Sequence, residues 1–222
     1  RLEKAENFEE TLHAMIRKTI KDHKRIIFNG NGYDEAWITA AKERGLRNLR
    51  NTVEALPTYI EEETIALFER NRVLSRAELN SIFVVYTERY NKQLNIETST
   101  AIRMARNEIY PAIMRYMNNI ASSINSIREA IGVENEEMIE GDKKHLNKVL
   151  NAKIHLRTSL AELEFDYAKA VNISDEYEKA KFYHFHIVPR LEHLKEWADV
   201  LELLCEKTIW PFPVYEDLLF KL

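Results

Sequence analysis

Apolar residues along this chain recur at steps of three, four and seven, and the pattern is most regular in the second half. Ile102, Ile109, Tyr116 and Ser123, interleaved with Ile113, Ile120 and Ile127, keep one register up to Gly132. Leu146, Val149, Leu156, Leu160, Leu163 and Tyr167 follow in the same manner. After an Asn172 to Ser174 joint come Tyr177, Ala180, His184, Ile187, Leu191, Leu194, Ala198, Leu201 and Cys205. A repeat near 3.5 residues keeps one helix face apolar over many turns. Three long helices with short joints run up, down and up, each about 50 Å long at ~1.5 Å per residue. Pro111 and Pro189 fall inside two of them. Each lacks an amide hydrogen and crowds the carbonyl one turn earlier, so the pattern predicts kinks there.

The first half is more broken. Asn7 followed by Glu10 reads as a helix start, and Leu12, Met15, Ile16 and Ile20 then repeat at helical spacing until about His23. Ile26, Ile27 and Phe28 form an apolar run suited to a short strand, and Asn29-Gly30-Asn31-Gly32 then predicts a tight turn with φ above zero. Asp34 caps a helix that Gly45 closes in a left-handed conformation. Leu56-Pro57 interrupts the chain, a helix spans Glu61 to about Arg70, and Ser75 with Glu78 opens another through a capping box. Its Leu79, Ile82, Phe83 and Tyr86 share one side, and Phe83, Tyr86 and Tyr90 at helical spacing are a core pattern more than an aromatic ligand box. A three-residue strand cannot satisfy its ladder bonds alone. Its sheet is therefore expected elsewhere, and Arg1 in place of an initiator Met leads us to expect further chain upstream.

Composition agrees with helix. There are only five glycines and five prolines in 222 residues, while charged residues make up 31%, which describes long helices with solvated faces. The expected class is all-α: a long antiparallel three-helix bundle plus a smaller helical N-terminal part with one orphan strand. Lys plus Arg number 32 against 36 Asp plus Glu, a mixed surface that asks for neither nucleic acid nor an anionic membrane. The single Cys205 excludes an internal disulfide and fits a reducing cytoplasm. Neither a signal peptide nor a run of roughly 20 apolar residues is present, so no membrane span is expected.

Candidate chemistry is sparse. His184 and His186 point about 200° apart on a helix and cannot share an ion. Glu10 and His13 have di-iron spacing, but a second such pair is missing. The glycine pair lacks the third glycine of a dinucleotide loop. We therefore expect no catalytic, cofactor-binding or metal residue in this chain. Arg17, Lys21 and Arg25, among cations placed where a helix dipole favours them, form at most an anion or partner patch. The tail, with Trp210, Phe212, Tyr215 and Phe220 around two prolines, is expected to dock extended on an apolar surface.

Two motifs are unusual enough to carry a resemblance. Arg25-Ile-Ile-Phe-Asn-Gly-Asn-Gly-Tyr33 and Trp210-Pro-Phe-Pro-Val-Tyr-Glu-Asp-Leu-Leu-Phe220 resemble the C-terminal portion of the type III glutamine synthetases. Gly45-Leu-Arg-Asn-Leu, Glu54-Ala-Leu-Pro and Leu74-Ser-Arg-Ala-Glu-Leu look like that family's too, and Glu216 stands where a small residue is expected. The resemblance implies an ATP-dependent ligase that joins glutamate and ammonia with Mg²⁺ or Mn²⁺, in a cytoplasmic double-ring dodecamer. It places ATP, metal and glutamate sites upstream, outside this chain. Residues 1–95 would then be the end of the catalytic domain with connecting helices, and 96–222 a C-terminal bundle with a docking tail at 206–222. The residues alone also fit a free-standing helical adaptor.

Overall fold

The computed structural model describes residues 7–219, and of 133–135, 215 and 216 the backbone alone. Its contacts divide the chain into two units, Arg1–Ala55 and Leu56–Leu222.

In the first unit, α1 (Phe8–Asp22) starts where the Asn7 side chain accepts from the Glu10 amide. A 3₁₀ turn, Lys24–Ile26, follows. The expected strand over Ile26 to Phe28 does not form: Ile26 closes the 3₁₀ turn, and Ile27 and Phe28 are irregular. The physical reason is a substitute for the ladder. Arg44 donates to the Ile27 carbonyl at 2.8 Å and to the Arg25 carbonyl at 3.4 Å, so a guanidinium takes the place of a neighbouring strand.

The turn that follows also differs from expectation. Neither Gly30 nor Gly32 has positive φ. Asn31 builds the turn: its carbonyl accepts from the Asp34 amide at 3.1 Å, and its side chain accepts from the Tyr33 amide at 3.1 Å. Gly30 is there for space, because a Cβ would sit 2.7 Å from the Phe28 ring. α2 (Glu35–Glu43) is capped by Asp34 and closed by Gly45 at φ +70, with the Leu46 amide bonded to the Ala41 carbonyl. α3 is a single turn, Thr52–Ala55.

The second unit opens with a 3₁₀ segment, Leu56–Ile60, and α4 (Glu62–Arg70), both packed on α5. α5 (Arg76–Met104) starts at the Ser75–Glu78 capping box, with both reciprocal bonds formed, and runs through residues 95 and 96 as one helix. A π turn, Ala105–Ile109, joins it to α6 (Tyr110–Ile131), which Gly132 ends at φ 79. The 3₁₀ segment Val133–Ile139 leads into α7 (Glu140–Val171). Next come α8 (Glu176–Phe182), a second π turn at Tyr183–Ile187, α9 (Val188–Leu204) and the short α10 (Tyr215–Leu219).

The core of this unit is a heptad core. Val149, Leu156, Leu163 and Ala170 on α7 are buried at steps of seven, as are Ala180, Ile187, Leu194 and Leu201 on the third arm. Leu94 of α5, Ile109 of the π turn and Ile113 of α6 belong to the same core. At each proline the structure shows a π turn. Pro111 and Pro189 each lie two residues beyond such a turn, and the Tyr110 and Val188 amides bond five residues back, to Ala105 and Tyr183. One extra residue in the turn moves the backbone carbonyl away from the proline ring, while the missing amide falls where the ladder is already interrupted.

Candidate functional site

The most polar interior lies where α5 passes the start of the third arm. Asn91 and Asn95 stand one turn apart on α5. Asn91 Nδ2 donates to the Glu176 carbonyl at 2.8 Å and to Glu176 Oε2 at 2.7 Å. Asn95 Oδ1 accepts from the Tyr167 hydroxyl at 2.9 Å and from the Tyr183 hydroxyl at 3.2 Å. The hydrogen bond from Asn91 is the main cause holding the Glu176 carboxyl below its usual range, with Lys179 adding to it. Burial pushes the Tyr183 hydroxyl up to about 12, so it remains a donor. Asn91 Oδ1 is buried with no partner among the described residues. Asn91, Asn95, Glu176, Lys179 and Tyr183 border a crevice of about 280 Å³.

Imidazoles recur at the other helix contacts. Tyr90 reaches His184 Nδ1 at 3.4 Å, Tyr116 reaches His145 Nε2 at 2.9 Å, and Ser159 reaches His193 Nδ1 at 3.3 Å. The last pair has the composition of a nucleophile and its base, but the wrong polarity. Trp197 Nε1 donates to His193 Nε2 at 3.2 Å, which leaves the neutral ring's proton on Nδ1, directed at the Ser159 oxygen. A general base must accept from the hydroxyl, so this pair ties α7 to α9. Burial raises the Cys205 thiol above its usual value, which favours the protonated form.

Charged groups also sit at the helix joints. Glu136 is gripped by Arg128 at 2.9 Å and by Lys143, joining the end of α6 to the start of α7, and those bonds hold its carboxyl at about 2. At Asp166 burial acts to raise the carboxyl, but hydrogen bonds from Lys169 and Arg190, each 3.1 Å, outweigh it and leave the value lowered.

The residues singled out from sequence lie apart from this interior. Arg17 and Lys21 are exposed one turn apart on α1, and Arg25 is exposed on the 3₁₀ turn beyond it. Asn29, Gly30, Asn31 and Gly32 form the turn next to Phe28, whose ring packs on Trp37 at 4.6 Å. Arg44, which the sequence reading missed, lies over Trp37 at 5.9 Å and donates to the Arg25 and Ile27 carbonyls ahead of that turn; its local signal was only a cation at the end of α2. In the tail, Trp210 is a core residue and Phe212 packs against the core. The tail is helical from Tyr215 to Leu219, not extended throughout. The Tyr215 side chain and Phe220 lie outside the described residues.

Among the described residues, no three His, Cys, Asp or Glu side chains converge as a metal cage, and no helix is long and apolar enough to cross a membrane. What the fold defines is an all-α helical domain with structural polar contacts between its helices. Residues 11–128 match the family model described as "Glutamine synthetase C-terminal domain", and the chain belongs to that family. Over 225 residues it is 27% identical to a glutamine synthetase of Butyrivibrio fibrisolvens, covering 98% of this chain and 31% of that relative. It is 30% identical over 218 residues to a type-3 glutamine synthetase of Dictyostelium discoideum, and 29% over 213 to a glutamine synthetase of Bacteroides fragilis. Those matches cover 98% and 96% of this chain, and 30% and 29% of the two relatives. The chain thus spans about a third of the length of the curated relatives it matches.

Proposed function

We propose that this chain is the C-terminal, non-catalytic portion of a type III glutamine synthetase, the ligase that makes glutamine from glutamate and ammonia at the expense of ATP. The observation that carries the reading is the match along 96–98% of this chain to relatives about three times its length. Glutamate, ATP and Mg²⁺ or Mn²⁺ would be held by the upstream catalytic domain, as the resemblance to the family implies. The role of this part is architectural: residues 1–95 complete and connect to the catalytic domain, and the bundle from 96 onward serves assembly of a cytoplasmic homo-oligomer or receives a regulator. Arg17, Lys21 and Arg25 are the candidate contact patch of the first part.

Glutamine formation from glutamate, ammonia and MgATP tests this, measured side by side on this chain and on the chain extended upstream in its gene. Activity only in the extended chain is the expected result. A folded, inactive extended chain would return the protein to the alternative reading, a helical adaptor. Reversing the three charges is expected to weaken assembly of the extended chain, and unchanged assembly would leave those residues as solvated helix-end cations.

A further inference from the structure

α7 carries two apolar stripes, and only one is used by the core. Opposite Val149, Leu156 and Leu163 lies an outer stripe of Ile154, Thr158, Ala161 and Phe165, at steps of four, three and four, all exposed. Ile154 is 51% and Phe165 65% open to solvent. With Arg157 and Glu162 these residues line a shallow groove of about 550 Å³ along the helix. Isolated exposed apolar residues are ordinary. A seam at heptad spacing, large at its ends and small at its centre, is shaped to receive another helix at close approach.

Charge identifies the occupant. About the midpoint between Ser159 and Leu160 the stripe is its own complement when reversed: Ile154 falls opposite Phe165, Thr158 opposite Ala161, and Arg157 opposite Glu162. A parallel copy would set Arg157 against Arg157. Arg157 has no ion pair among the described residues, and Glu162, which binds Arg190 through Oε2, retains a second oxygen to accept. We propose that this face of α7 packs antiparallel on α7 of a second copy of the chain, across a two-fold axis at that midpoint. Such a contact is isologous, so each pairing occurs twice. One helix pair buries less than the roughly 1,200 Å² of a stable standard interface, so the association is weak and concentration-dependent. The proposal narrows the assembly reading above to one surface.

Cross-linking on the 222-residue chain tests the register. In a Cys205→Ala background, Ile154→Cys and Phe165→Cys chains are mixed and oxidised. The expected product is a mixed dimer, with little from either variant alone, because like positions lie about 16 Å apart at ~1.5 Å per residue, beyond disulfide reach. Both side chains are exposed, and circular dichroism verifies that the variants fold. Independently, Arg157→Glu is expected to raise the midpoint concentration of self-association about tenfold in sedimentation. Equal cross-linking by the single variants, or none in the mixture, overturns the proposal. A chain that self-associates without the 154–165 link overturns this surface and leaves the assembly reading standing. A chain that neither associates nor cross-links overturns this surface too, and the assembly reading is then decided by the extended chain's own sedimentation.

Discussion

Asn91 holds Glu176 at two points, its Nδ2 donating to the backbone carbonyl at 2.8 Å and to the carboxylate at 2.7 Å. Two acceptors on one amide nitrogen set the orientation of the amide, since a flip would point oxygen at oxygen. Asn91→Ala is expected to destabilise the second unit by about 1 kcal/mol, the net scale of an intramolecular hydrogen bond, since the exposed Glu176 can turn its acceptors to water. The near-isosteric Asn91→Asp should cost more at neutral pH, because it sets a carboxylate against the Glu176 carboxylate, and should recover in acid as the new carboxyl becomes a donor. Urea melts across pH check both the order and the recovery.

Glu136 sets a second pH window. Its folded value, about 2, lies below the ordinary carboxyl value of 4.5. The stabilisation from its bonds to Arg128 and Lys143 is therefore fully present above 4.5 and is lost as pH falls toward 2. A carboxyl titration followed by NMR is expected to place Glu136 near 2 in the native chain and to move it upward in Arg128→Met. An unchanged midpoint in that variant would show that Arg128 is not the cause.

The π turns make a prediction in two steps. Removing one residue from the first turn, for example Asn107, converts it to α-helix and returns the carbonyl to the Pro111 ring. That deletion alone is expected to cost about 3 kcal/mol or more. Combined with Pro111→Ala it should cost much less, since an alanine amide can join the restored ladder. A thermodynamic cycle of the four proteins measures the coupling; additive effects would separate the turn from the proline.

Gly30 and Gly32 should part company. A Cβ at Gly30 meets the Phe28 ring at 2.7 Å, and one at Gly32 meets nothing within 4 Å. Gly30→Ala is expected to displace Phe28 from Trp37, read as a shift of the Trp37 indole N–H resonance, and Gly32→Ala to leave it in place.

Trp210 is 7% exposed, and its indole N–H has no partner among the described residues. Truncation to Ala is expected to cost about 3–5 kcal/mol, as for large aromatic residues in cores. Trp210→Phe should cost much less, since it keeps much of the apolar area and removes the orphan donor. Thermal unfolding of the two variants gives the comparison.

The sequence by itself determined the all-α class and several helix caps, among them Asn7, Asp34, Gly45 and the Ser75–Glu78 box. Heptad spacing of Val149, Leu156 and Leu163 and the Ser75–Glu78 box act through neighbours three to seven residues away, and such local rules can be read along a chain. It also carried the family, through two long motifs at its ends. Only the tertiary structure decided what depended on residues far apart. Arg44 supplies donors to carbonyls 17 and 19 residues upstream, which removes the need for a strand at Ile26 to Phe28. The Phe28 ring, packed against Trp37, gives Gly30 a steric purpose in place of a dihedral one. The pairing of Asn91 with Glu176 spans 85 residues, and nothing in either residue's neighbourhood announces the other. The polar interior was therefore hidden from the sequence, because its bonds form only once separate helices are packed side by side.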